Sequence, residues 1–159
     1  MAFIECVTVC INFSDYLDCT LPSMVRAFDR VIVVTEPDDQ DSRRIIRRND
    51  AVEVLSTRKT FRGEAFNLPA LMNDGYAATQ VRDWVCKVDS DIYIPDDSRK
   101  TIEAISLDRE CLYGTRRWFC ENRNLFDRFL ADGSKDILEP PYENGESDVL
   151  GFFQLFHAK

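Results

Sequence analysis

The stretch DWVCKVDSDIYIP, residues 83–95, decides the fold. WVCKV is mostly apolar and rich in residues that favour strands, and the acidic residues Asp89 and Asp91 follow it directly. The whole stretch is predicted to be a strand, the fourth in the chain, that runs into an acidic tip. We therefore expect the sheet to present carboxylates at one edge.

Three more strands are predicted upstream of this stretch, each followed by a helix or a helical pattern. The strands are FIECVTVCI (3–11), RVIVVTEP (30–37) and Ala51–Leu55; the helices start at Ser14, cover 38–50, and lie within EAFNLPALMNDGYAAT (64–79). Pro22 is expected to break or restart the first helix, and Pro69 to sit in the first turn of the third. Strands that alternate with helices of about a dozen residues predict a mostly parallel sheet.

The pattern changes after Pro95. We predict a helix (Asp97–Leu107) and a strand (Glu110–Gly114), followed by a polar aromatic stretch (116–130) and a loop. The chain then has a last strand, VLGFFQLFHA, at 149–158. Trp118 and Phe119 are expected to lie in the core. We interpret residues 1–159 as a single domain, a Rossmann-like three-layer α/β/α sandwich, with a first half (1–95) and a second half-layer on the same sheet (96–159).

The composition excludes several classes of protein. The chain has 159 residues, 45% of them hydrophobic and 30% charged, and a net charge of −8, which argues against a broad nucleic-acid surface. No apolar run approaches the roughly 20 residues that span a bilayer, and the N-terminus lacks a basic region, so a cytoplasmic protein is expected. The six cysteines form no CxxC pair and are expected to be reduced.

The acidic tip, Asp89 and Asp91, is the strongest candidate for a functional site in the sequence. Residues two apart on a strand face the same side, so Asp89 and Asp91 would direct two carboxylates to one point. Such a pair calls for a cation, and oxygen ligands of this kind are how Mg²⁺ or Mn²⁺ is held together with phosphate. The alternative is that Asp-Ser-Asp only caps a turn at the end of the strand.

Four blocks together resemble one family: VTVCINFSDYL, FDRVIVVTEPDD, FRGEAFNLPALMNDGY and DWVCKVDSDIYIPDD, in that order. The combination is similar to the nucleotide-binding half of family-2-like glycosyltransferases of the GT-A fold. The similarity covers roughly residues 3–120, and the DxD motif at 89–91 is its most diagnostic part.

The resemblance implies a nucleotide-diphosphate sugar donor, UDP- or GDP-linked, with Mn²⁺ or Mg²⁺, and an unknown acceptor. Asp91 would be the main metal ligand, and Asp89, with Ser90 beside it, would lie near the ribose or the metal. The remaining donor-site positions would be the strand ends Val9, Ile11, Asn12, Thr35 and Glu36, which flank the base and ribose, and Arg62, Gly63 and Asn67, which approach the diphosphate or sugar.

The end of the chain departs from the family pattern. Such enzymes usually continue past the strand that GFFQLFHAK resembles, with an acidic base and often a later histidine near the metal. Asp148 is therefore a candidate base beside Glu143 and Glu146, and His157 a candidate metal ligand. The alternative is a degenerate module that binds a nucleotide sugar or a protein partner without transfer. The apolar last strand also favours a homodimer.

A nucleotidyltransferase and a phosphoacceptor domain fit the sequence less well. A nucleotidyltransferase predicts a glycine-rich phosphate loop after the first strand, whereas INFSDYLDC contains no glycine. A phosphoacceptor domain predicts an acidic pair at that place, and Asp15 alone does not supply it.

Overall fold

The computed structural model describes residues 2–57, 60–62, 65–80, 83–133, 135–139 and 152–158. Each helix and strand is named in chain order. The strands are β1 (Ile4–Val9), β2 (Arg30–Thr35), β3 (Val52–Leu55), β4 (Phe61–Arg62), β5 (Ala65–Phe66), β6 (Trp84–Val88) and β7 (Phe153–His157). The helices are α1 (Ser14–Ala27), α2 (Gln40–Arg48), α3 (Leu68–Ala77), α4 (Ser98–Ala104) and α5 (Arg123–Asp132), with a 3₁₀ turn at Lys135–Ile137.

A five-stranded sheet in the order β3-β2-β1-β6-β7 forms the centre of the structure. β1 pairs in parallel with both β2 and β6, and β2 pairs in parallel with β3. β7 is antiparallel to β6 and closes that side. The chain progresses outward from β1 through β2 to β3 and then returns to the other side of β1, so the direction of winding reverses between β1 and β6. The mostly parallel sheet is as predicted.

Helices cover both faces of the sheet, which confirms the three-layer sandwich. Side chains alternate along the strands, so Cys6 and Cys86 face α1, whereas Val7 and Val85 face α3. On the first face the core includes Leu17, Leu21 and Met24 of α1 and Ile46 of α2; on the second it includes Leu71 and Met72 of α3. The six cysteines are free thiols, as expected.

The prediction that Pro22 breaks the first helix is wrong. α1 is continuous through Pro22, which lies in its interior. The missing amide and ring clash cost about 3 kcal/mol, but full burial of Leu17, Leu21 and Met24 contributes about 1.5–3 kcal/mol each and outweighs that cost. Packing on the sheet therefore keeps α1 continuous past the proline. Pro69 lies in the first turn of α3, as predicted.

The second half of the chain differs from its prediction in three places. Residues 110–114 form no strand; only Tyr113 makes a bridge, to Leu155 of β7. Helix α5 begins within the polar aromatic stretch. Asn122 caps it, because the Asn122 side chain accepts a hydrogen bond from the Leu125 amide at 3.1 Å. Trp118 and Phe119 are exposed rather than in the core, and the backbone of Phe119 pairs with Glu139 instead of with the central sheet.

A buried ion pair fixes the far end of α3 to the sheet. Glu5, in the central strand, is 1% exposed and accepts a hydrogen bond from Arg30 Nη1 at 2.6 Å. The same guanidinium donates to the Ala78 carbonyl at 2.9 Å, and the Gln80 amide donates to the second Glu5 oxygen at 2.7 Å. The two charged side chains and the backbone groups that follow α3 are thus hydrogen-bonded to one another inside the fold.

Asp39 joins three elements at the opposite edge of the sheet. It caps α2, accepting from the Ser42 amide at 3.1 Å, and its second oxygen accepts from the Asn12 amide at 2.7 Å and from Thr35 Oγ1 at 3.4 Å. Burial by itself would raise the pKa of this carboxyl, but these hydrogen bonds outweigh it and hold the pKa below its ordinary value. The ionised form of Asp39 therefore stabilises the fold.

Within the residues that the structure describes, no helix has the length and apolar character needed to cross a membrane.

Replacement of Gly75 by alanine should destabilise the protein. A Cβ at this position would lie 2.4 Å from Val7 Cγ1 and 2.9 Å from Val34 Cγ2, so α3 would have to move away from β1 and β2. We expect a net loss of about 1–2 kcal/mol in unfolding free energy, since overpacking exceeds the gain in helix propensity. Chemical denaturation measures it. Asn73→Ala, on the exposed side of α3, is the control, and equal stability of the two variants would contradict the close approach.

Asp39→Asn should lower the unfolding free energy by about 1–2 kcal/mol at neutral pH, because the carboxylate is the acceptor of three hydrogen bonds. Its lowered folded pKa means that the contribution is complete above the unfolded value, near 3.9, and is lost as the pH falls through the folded value. The difference between wild type and variant should therefore stay constant from pH 7 to about pH 5 and shrink only as the pH falls below about 4. Denaturation curves at several pH values test this, with exposed Asp38→Asn as the control; a difference independent of pH would refute it.

Candidate functional site

The carboxyl ends of β1, β2 and β6 meet at one edge of the sheet, where the winding reverses. Open parallel sheets bind ligands at this place, in the crevice outside the strand ends. Asn12 follows β1 with a positive φ of 59°, a conformation that asparagine tolerates better than most residues. Because Asp39 accepts from both Asn12 and Thr35, the ends of β1 and β2 are held together.

Cys10 connects the two sides of this edge. Its Sγ lies 3.5 Å from Ser42 Oγ of α2, and Ser90, after β6, lies close enough to lower the pKa of the thiol. Burial raises the pKa of the Cys10 thiol despite these hydrogen bonds, so the group is neutral at neutral pH. The thiol is thus a packed contact between the two sides of the crevice rather than a nucleophile.

Helix α1 holds the segment after β6 in place. Thr20 Oγ1 donates to the Ser90 carbonyl at 2.6 Å, and Ser23 Oγ accepts from the Ile94 amide at 2.9 Å. The Asp89 amide donates to the Phe152 carbonyl at 2.9 Å, which ties the same segment to the chain just before β7. Residues 89–94 are therefore fixed from both sides.

The acidic tip lies in a turn and not on a strand. β6 ends at Val88, and the Ile92 amide donates to the Asp89 carbonyl at 3.1 Å, which closes the turn. The argument that strand alternation puts Asp89 and Asp91 on the same side is therefore wrong. Asp91 is exposed, whereas Asp89 forms an ion pair with the buried Lys87. The sequence thus located the two carboxylates but not their geometry.

His157 does not lie near the acidic tip. In the pairing of β6 with β7, His157 is opposite Trp84 and Phe153 is opposite Val88, so the histidine is at the amino end of β6. Trp84 and Val88 are four residue steps apart along β6, about 13 Å. The imidazole stacks edge-on against Trp84 at 5.4 Å. The expectation that His157 shares a metal with Asp91 is therefore wrong.

The other predicted positions fall in several places. Val9 and Glu36 are half-buried, and Ile11 is buried, at the ends of β1 and β2. Arg62 belongs to the β4–β5 hairpin, next to α3. Asn67 precedes α3, and its amide donates to the Thr60 carbonyl at 2.7 Å. Gly63 and Asp148, together with Glu143 and Glu146, lie outside the described residues.

The tip can hold a divalent cation only with help from another ligand. Asp91 is exposed and Asp89 is 39% exposed, so both carboxylates are accessible at the edge of the crevice. Across the part of the chain that the structure describes, no three His, Cys, Asp or Glu side chains form a group that could hold a metal ion. One or two carboxylates plus phosphate oxygens are a normal ligand set for Mg²⁺ and Mn²⁺. The residues therefore fit a cation that a diphosphate also binds.

Sequence reasoning missed three residues that organise the site: Asp39, Thr20 and Lys87. Two of them had a usable signal. Asp39 comes three residues before Ser42, at the start of a helical pattern, which is the position of a capping residue. Lys87 is two residues before Asp89 in the predicted strand, where alternation places both on one side. Thr20 had no such signal, since its role depends on how α1 packs.

Sequence comparisons give no match: no protein-family model matches the chain, and no curated protein matches it. Solved structures do match. Glucosyl-3-phosphoglycerate synthase from Mycobacterium tuberculosis, in complex with uridine diphosphate, superposes with a TM-score of 0.56 at 14% identity over 99% of this chain and 57% of that one. A mannosyltransferase from Pyrobaculum calidifontis, in complex with GDP-Man and Mn²⁺, gives 0.51 at 17% identity over 73% of this chain.

A third neighbour is 4-diphosphocytidyl-2C-methyl-D-erythritol synthase from Anaerococcus prevotii, with a TM-score of 0.53 at 14% identity over 99% of this chain and 72% of that one. The chain spans 36% of the mannosyltransferase and 57% of the glucosyl-3-phosphoglycerate synthase. At these identities the likeness concerns the fold. The chain has a Rossmann-like GT-A fold.

Proposed function

We propose that the protein is a metal-dependent glycosyltransferase that moves a sugar from a UDP- or GDP-linked donor to an acceptor. The observation that carries the proposal is the reversal of winding between β1 and β6, beside which Thr20 holds the acidic turn 89–91. Two neighbours of the same fold are complexes with uridine diphosphate and with GDP-Man plus Mn²⁺, which supports a nucleotide ligand at this edge.

The nucleoside would lie against the ends of β1 and β2. Val9 and Asn12 offer an apolar edge and an exposed amide side chain, and Glu36 a carboxylate suited to sugar hydroxyls. Thr35 is fully buried and its hydroxyl donates to Asp39, so we expect it to support the loop rather than contact the ligand. Ile11, also buried, would shape the floor of the crevice.

The diphosphate would lie between the acidic turn and the start of α3. Asp91 would hold the cation, with Asp89 and Ser90 beside it. When bound, the cation supplies positive charge for the leaving diphosphate. Arg62, Gly63 and Asn67 come just before α3, whose free amide groups favour an anion, and we propose that they contact the diphosphate or the sugar.

Deprotonation of the acceptor hydroxyl requires a base if the reaction inverts the anomeric centre. Asp148 is our candidate, and this role stays a prediction. A nucleotidyltransferase is the weaker alternative, because the segment after β1 contains no glycine with which to form a phosphate loop. The proposal of a homodimer also stays a prediction.

Binding should appear as a shift in melting temperature. A nucleotide at 100 times its dissociation constant adds about 2.7 kcal/mol, or roughly 5–10 °C for a domain of this size. The test uses UDP, GDP, CDP and ADP, each with and without Mn²⁺. We expect UDP or GDP to stabilise the protein only when Mn²⁺ is present, and Asp91→Ala to abolish the shift.

Asp97→Ala is the matched control, since Asp97 is an exposed acid on a nearby loop whose side chain makes no capping hydrogen bond. It should shift as wild type does. No shift with any nucleotide would refute the donor site. Release of UDP or GDP from the corresponding sugar nucleotide then separates an enzyme from a module that only binds, and Asp148→Asn should lower that rate without changing the shift.

A further inference from the structure

Lys87 is a buried cation directly beneath the acidic turn. The residue is 7% exposed, and it lies on the strand between two apolar residues, Cys86 and Val88, that face the opposite side of the sheet. An ammonium group in such a place is costly unless a carboxylate compensates it. Among the described charges, Asp89 meets that need: Lys87 Nζ and Asp89 Oδ1 form an ion pair.

The backbone of Asp89 is held in place beside this partner. Its amide donates to the Phe152 carbonyl at 2.9 Å and its carbonyl accepts from the Ile92 amide at 3.1 Å, so both sides of the residue are fixed. The next carbonyl, of Ser90, is held by Thr20. The pair is therefore a built feature of the rim and not a chance contact between long exposed side chains.

The pair changes the charge that the turn offers to a cation. Asp89 and Asp91 would carry two negative charges, but with Lys87 the three groups together carry a single one. A divalent cation at Asp91 would also be repelled by the ammonium group, weakly screened because that group is buried. A diphosphate would restore the missing negative charge and supply further oxygen ligands.

We propose that Lys87 excludes a free divalent cation from the acidic turn, so that the cation enters only together with a diphosphate. The second half of this statement rests on the proposed function, whereas the first half does not. Lys87 is thus a positioning residue, which acts through Asp89 and through its charge. The metal and the nucleotide would bind as one complex, and the turn would stay free of metal between reaction cycles.

The test measures Mn²⁺ binding to the intact chain without nucleotide. Binding is monitored as loss of the electron paramagnetic resonance signal of free aqueous Mn²⁺. Lys87→Met keeps the length of the side chain and removes the charge, so it should bind Mn²⁺ about tenfold or more tightly than wild type. Asp91→Ala added to Lys87→Met should remove the gain. A gain in affinity cannot result from simple destabilisation of the fold.

Lys87→Arg, which keeps the charge, should bind Mn²⁺ as weakly as wild type does, and Lys100→Met, at an exposed lysine of α4, controls for the change in net charge. Lys87→Gln provides a second neutral variant if the methionine variant does not melt cooperatively. Equal Mn²⁺ affinity in wild type and both neutral variants would overturn the proposal.

The same titration with UDP or GDP present keeps the two proposals separate. We expect wild type to bind Mn²⁺ when either nucleotide is added. If neither nucleotide recruits Mn²⁺ to wild type or to the variants, the donor site is refuted, while the comparison without nucleotide still decides the role of Lys87.

Discussion

The position of β1 is the constraint on which the rest of the structure depends. Its backbone pairs with β2 on one side and β6 on the other, and its two faces are covered by α1 and by α3. Since every surface of this strand is used, the layers around it have little freedom. Gly75 illustrates this restriction, because α3 approaches β1 and β2 so closely that no Cβ fits between them. The carboxyl end of β1 lies where the winding of the chain reverses.

Charged groups are paired at both the amino and the carboxyl ends of the strands, but the two pairs differ in their exposure. Glu5 and Arg30 are joined to the backbone after α3, so both carboxylate oxygens of Glu5 and one nitrogen of Arg30 have partners inside the fold. Lys87 and Asp89, at the other edge, leave a carboxylate that is 39% exposed next to the exposed Asp91. The first arrangement is satisfied inside the fold, whereas the second leaves two accessible carboxylates beside a buried ammonium group.

Helix α1 links core packing to the geometry of the rim. Its apolar side chains are buried deeply enough to keep the helix continuous through Pro22, and this continuity brings Thr20 and Ser23 to residues 90–94. A helix broken at the proline would lose that register. The hydroxyl contacts fix the turn that carries Asp91, so the same burial that stabilises the domain also sets the geometry of its proposed metal ligand.

The sequence by itself determined the alternation of the main strands and helices up to residue 95, the mostly parallel sheet and the location of the acidic residues after WVCKV, because local apolar patterns and turn residues carry that information. It also predicted the GT-A fold from four blocks of residues. Only the tertiary structure decided that Pro22 does not end a helix, that the DxD residues lie in a turn, and that His157 is far from Asp91. These features depend on burial, on strand register and on the pairing of Lys87 with Asp89. Such interactions join residues through packing, which a pattern along the chain does not fix.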